Sequence, residues 1–112
     1  MDPIDLVGTP YDKEHECRWL VRTVIKAEKG IELPDKMIGW RRFGKTVDWP
    51  TEVERCNLIF FSSNELNIVD HVGVAISDVD FLHASHAHGQ VVCEPILKYA
   101  ARIISIGKLH DS

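Results

Sequence analysis

The chain has 112 residues, of which 45% are hydrophobic and 27% charged, the proportions of one folded globular domain rather than a disordered or fibrous chain. Its formal net charge of −4 argues against a nucleic-acid groove, and no stretch approaches the roughly 18 apolar residues of a membrane span. Three cysteines, an odd number without a CxxC pair, argue against a disulfide framework or a cysteine zinc cage and fit folding in a reducing compartment.

The opening MDPIDLVGTPYD is acidic and has neither a basic n-region nor an apolar h-region, so no secretory signal peptide is expected at this end. A helix is predicted from Cys17 to Glu28, because Leu20, Val21, Val24 and Ile25 recur at helical spacing and Gly30 supplies a stop. From Ile31 to Thr51 the glycines and prolines, with Trp40, Phe43 and Trp49 between them, predict a partly helical connection anchored by aromatics. Arg41 and Arg42 read as a solvated loop.

The texture then changes to short apolar runs. Strands are predicted at 58–61, 71–76, 81–84 and 91–94, with a turn at 77–80, one helical turn at 95–99, a last strand at 102–106 and a frayed tail at 108–112. A helix followed by a strand meander predicts one α+β domain over 1–112, its mostly antiparallel sheet packed on the helix.

Cys17 falls in the first helical turn, where unpaired N–H groups and the helix dipole favour an anion. The thiolate is the reactive form of cysteine, so this is a place for a nucleophile. Glu14 and Glu16 oppose thiolate formation, and a buried structural cysteine is the plainer alternative. In the strand from 71, alternation puts His71, Gly73 and Ala75 on one face, leaving room beside the histidine for a backbone or a substrate. A solvent-facing histidine at a strand start is the alternative there.

His83 follows across the predicted turn, so a hairpin sets the two imidazoles side by side. On a common face, His83 can accept a hydrogen bond from His71 and fix its tautomer. Cys56 and Cys93 have no histidine partner and read as structural. The rival constellation is HASHAHG, where His83, His86 and His88 crowd together. It lacks a cysteine or carboxylate at a metal-ligand spacing, so a solvated loop is expected and no metal. Trp19, Trp40 and Trp49 read as core and rim.

Four stretches, taken in order, resemble the NlpC/p60 cysteine peptidases. They are Leu6-Val7-Gly8-Thr9-Pro10-Tyr11, Glu16-Cys17-Arg18-Trp19-Leu20-Val21, Leu58-Ile59-Phe60-Phe61 followed by His71-Val72-Gly73-Val74, and Phe81-Leu82-His83-Ala84-Ser85. The tail, with Glu94-Pro95 and Arg102-Ile103, resembles the phage-tail and prophage branch. Glu16 stands where the family usually has Asp, Arg18-Trp19 where it has small residues, and Cys56-Asn57 where Gly-Asp is common.

The resemblance implies a papain-like core, with Cys17 as nucleophile, His71 as general base and His83 as the orienting group. Tyr11 would line the oxyanion site with the Cys17 amide. No cofactor is implied. The implied substrate is a peptidoglycan stem peptide, cut between γ-D-glutamate and the diamino acid. A structural phage-tail component, or a thiol acyl- or amide-transferring enzyme acting elsewhere, are the other classes. Without a leader, delivery to the wall would need a phage tail or secretion apparatus.

Overall fold

The computed structural model describes residues 2–37, 40, 44–47, 52–62 and 68–109. Among them one α-helix, α1 (Cys17–Lys29), packs on a six-stranded sheet. Its strands are β1 (Gly44–Val47), β2 (Leu58–Phe61), β3 (His71–Ala75), β4 (Asp80–Ser85), β5 (Gln90–Pro95) and β6 (Ile103–Leu109), in the spatial order β1-β6-β2-β3-β4-β5. All pairings are antiparallel, which is the expected α+β arrangement.

The helix forms where its periodicity places it. Leu20, Val21, Val24 and Ile25 are buried on one face, against Leu58, Phe60, Val72, Val74, Leu82 and Ala84 of the sheet. Glu16 caps the N-terminus, its carboxylate accepting from the amides of Arg18 and Trp19. Gly30 ends it in the left-handed region at φ 68°. The far face of the sheet buries Ile59, Phe61, Ala75, Phe81 and Ile106 beneath Ile96 and Tyr99 of a 3-10 segment, Ile96–Arg102. The sheet is therefore covered on both sides, and its central strands read as continuous apolar runs.

Two expectations are corrected. The stretch 31–51 is not only a partly helical connection, because Gly44–Val47 is a strand, paired with β6 from Gly44↔Leu109 to Val47↔Ile106. That partner carries β6 to Leu109 instead of stopping at Ile106, so Lys108 belongs to the sheet rather than to a tail. Trp40 is an anchor as expected, buried and donating its indole N–H to the Pro34 carbonyl at 2.7 Å. Trp19 is partly buried against the core. Gly39, Arg41, Arg42, Phe43, Trp49, Pro50 and residues 110–112 lie outside the described residues.

Cys56 is buried as expected, whereas Cys93 is exposed on β5 and fills no core position. Cys56 also holds a left-handed backbone at φ 73°, where its N–H donates to the Ala75 carbonyl at 2.8 Å. An L side chain in that region costs about 1–2 kcal/mol, and glycine escapes the cost. Cys56→Gly should therefore unfold at higher denaturant than Cys56→Ala, by about 1 kcal/mol. An alanine variant equal to or more stable than the glycine variant would contradict the strain.

Candidate active site

The site gathers where the N-terminus of α1 meets the start of β3. The N-terminal segment reaches it by pairing with β5, through Gly8 N–H to the Val91 carbonyl and Tyr11 N–H to the Gly89 carbonyl, both at 2.9 Å. This carries Tyr11 beside Cys17, and the raised pKa of its phenol reflects burial first and then the charges of Cys17 and Glu16. The Tyr11 ring meets the His86 ring edge-on, with centroids 5.3 Å apart.

Cys17 is 9% exposed. Its thiol donates to Glu16 Oε2 at 3.7 Å, and the Val72 N–H points to the sulfur. Burial, then the Glu16 charge, push the thiol up to about 11, and the Val72 amide works weakly the other way. The resting group is thus a neutral thiol. Glu16 remains a carboxylate despite partial burial, because the Arg18 and Trp19 amides and the Arg18 side chain hold its charge.

Across the β3–β4 pair Ala75 faces Phe81. His71 lies four residues before Ala75 and His83 two after Phe81, so alternation puts both imidazoles on the sheet face away from α1. His71 Nε2 and His83 Nδ1 are 2.9 Å apart. Burial, then the neighbouring His83, hold His71 down to about 4, against the opposing charges of Asp70 and Glu16. Phe81 stacks on His83 at 4.7 Å and 19°, and Tyr99 meets it edge-on.

Of the two occupants expected beside Gly73, a backbone or a substrate, it is the neighbouring strand that fills the room. A Cβ there would lie 2.7 Å from the Phe81 ring and 2.8 Å from the Leu82 carbonyl oxygen. Open space lies in a cleft lined by Phe61, Ser62, His71, His83, Tyr99 and Arg102.

One polar residue was given no role at the site by the sequence. Glu94, opposite Phe81 on β5, is buried, and its Oε1 lies 2.8 Å from His83 Nε2. Tyr99 Oη donates to the same oxygen at 2.7 Å, and Lys98 Nζ pairs with Oε2. A Lys four residues on and a Tyr five residues on were visible signals, but their convergence needs the turn after Pro95.

The HASHAHG run is also resolved. His86 and His88 sit in the exposed turn between β4 and β5, the solvated loop that the sequence predicts. His88 Nδ1 lies 2.8 Å from Ser85 Oγ while His86 turns to Tyr11. Among the described residues no group of three or more His, Cys, Asp or Glu is placed to hold a metal ion.

Comparison with known proteins gives this geometry a lineage. The probable endopeptidase NlpC homolog of Haemophilus influenzae is 32% identical over 87 residues, covering 78% of this chain and 44% of that protein. The chain thus spans less than half the length of this curated relative. Among solved structures, the NlpC/p60 domain of the peptidoglycan hydrolase SagA superposes with a TM-score of 0.78 at 17% identity, over 96% of this chain and 93% of that one. NlpC2 from Trichomonas vaginalis gives 0.83 at 17% identity, over 96% and 44%. The peptidoglycan hydrolase RipB from Mycobacterium tuberculosis gives 0.76 at 21% identity, over 97% and 62%. At these identities the structures establish the shared papain-like fold. The NlpC/P60 family pattern itself runs through residues 7–103, taking in Tyr11, Cys17, His71 and His83, and the chain therefore belongs to the NlpC/P60 family.

Proposed function

We propose that the chain is a cysteine peptidase that hydrolyses an amide bond in peptidoglycan stem peptides, with Cys17 as nucleophile, His71 as general base and His83 as its orienting partner. The observation that carries this reading is the 2.9 Å contact between His71 Nε2 and His83 Nδ1, at the strand start whose next amide faces the Cys17 sulfur. That contact occupies one nitrogen of His71 and leaves Nδ1 as the base.

Because thiol and imidazole are both neutral at rest, the proton moves as the bond forms rather than before it. On substrate binding the thiol turns from Glu16 to His71, since catalytic hydrogen bonds tighten in the Michaelis complex. Sulfur attacks the amide carbonyl while His71 takes the thiol proton. The oxyanion is met by Tyr11 and by the Cys17 amide, which is not among those Glu16 takes. His71 then passes its proton to the leaving amine as the C–N bond breaks, giving an acyl-enzyme. Water attacks the thioester, and its proton returns through His71 to the sulfur.

The family relatives named as peptidoglycan hydrolases support the substrate class, and the bond between γ-D-glutamate and the diamino acid is the one proposed for cutting. A phage tail or secretion apparatus is the proposed carrier. Incubating purified peptidoglycan with wild type and with Cys17→Ala, then weighing the released peptides, tests the reading. New peptides from the wild type alone support it, and their masses name the bond. Equal release by both proteins would remove Cys17 from the mechanism, and release from neither across several wall types would end the hydrolase reading.

A further inference from the structure

Among the described residues, a chain of buried polar contacts runs from His71 through His83 to Glu94. We infer that Glu94 is a positioning residue whose carboxylate sets the tautomers of both histidines and so keeps Nδ1 of His71 free of its proton. The consequence for turnover rests on the hydrolase reading above, while the tautomers follow from the hydrogen-bond geometry and the charge states of Glu94 and His83.

Only 8% of Glu94 is exposed, and a carboxylate that buried needs partners. It has three. His83 Nε2 and Tyr99 Oη converge on Oε1, and Lys98 Nζ holds Oε2. Burial works against the charge, yet the hydrogen bonds from Lys98, Tyr99 and His83 outweigh it and pull the group down to about 2. An ionised carboxylate has no proton to give, so at 2.8 Å the proton belongs to His83 Nε2.

Burial keeps His83 neutral, which leaves its Nδ1 a bare acceptor. The 2.9 Å contact then requires His71 to donate from Nε2. A neutral imidazole carries one proton, so Nδ1 of His71 has none. Two conditions set this order of protons: the charge on Glu94, and a His83 that burial keeps neutral against the pull of that charge.

Glu94→Gln keeps the volume and reverses the logic. The Lys98 ammonium, which pairs with Oε2, favours the amide oxygen at that position and so turns the NH2 toward His83. His83 must then accept at Nε2 and donate from Nδ1. His71 becomes an acceptor at Nε2, and its proton moves to Nδ1, where it blocks the base. Tyr99 can accept from the same NH2, so the substitution leaves no buried group unpaired. A role for Glu94 in stability alone would move none of these protons.

Nitrogen-15 spectra of the histidines, recorded on the full chain at neutral pH, read the tautomers directly. In the wild type His71 and His83 should both carry the proton on Nε2. In Glu94→Gln the His71 proton should move to Nδ1, and kcat on stem peptides should fall about 10²–10⁴-fold with little change in KM, as expected of a wrong-tautomer variant. A His71 protonated at Nδ1 in the wild type overturns the inference without any variant. So does a Glu94→Gln protein whose His71 keeps its Nε2 proton. A wild type with the stated tautomers but no action on any stem peptide would instead sink the hydrolase reading and leave the control by Glu94 standing.

Discussion

His71→Gln is expected to lower kcat by about 10⁴-fold or more, because members of a nucleophile–base set act as a unit and losing one removes most of the catalysis. Glutamine can still donate to His83 Nδ1, so the fold should survive at neutral pH. The same variant carries a second expectation of defined sign. His71 is held at about 4 in the fold against an ordinary 6.5, so between those values the unfolded chain takes up a proton that the fold refuses. Stability therefore falls as pH drops from 6.5 to 4, by up to about 3 kcal/mol from this group.

Glutamine has no such proton. Denaturant unfolding at pH 7 and pH 4 should show the wild type losing more stability than the variant. Glu94 does not blur the comparison, because its depressed carboxyl is present in both proteins and adds the same loss as pH falls below about 4.5. Equal losses would mean that His71 is not buried neutral, and the proton-transfer step would have to start from an ion pair.

The largest expected effect on stability is at Gly73. Its missing side chain lets the Phe81 ring and the Leu82 carbonyl close on β3, and neither can yield cheaply, since one is packed in the far-face cluster and the other is backbone. Gly73→Ala should cost about 2–3 kcal/mol by overpacking. For a domain of this size that is a fall of roughly 8–20 °C in Tm. Phe81 stacks on His83, so the displaced ring should disturb the imidazole pair and reduce activity even where the protein still folds. A fully active Gly73→Ala protein with unchanged Tm would show that Phe81 moves aside freely and does not fix His83.

Much of this was legible in the sequence, for physical reasons that differ by element. The helix was legible because its apolar period and the stop at Gly30 agree, whereas the Glu16 cap shows only in the structure. The central strands were legible because each is a short apolar run between turn residues. β1 was not, since Gly44-Lys45-Thr46-Val47 carries little hydrophobic signal and becomes a strand only by pairing with β6. The pairing of His71 with His83 followed from the hairpin, although register alone decides that they share a face. Glu94 needed that register too, plus the turn that folds Lys98 and Tyr99 back onto it. The bare position at Gly73 was legible as room for a backbone or a substrate, and only the register of the neighbouring strand decides that Phe81 and the Leu82 carbonyl fill it.

The central claim is that the Cys17 sulfur becomes acylated during turnover, and intact-mass spectrometry of acid-quenched reactions with stem peptide tests it most directly. A transient mass increase equal to the acyl fragment, mapped by digestion to the peptide containing Cys17 and absent from Cys17→Ala, is the predicted result. Turnover with no adduct at any quench time, or with the adduct on another residue, would contradict it.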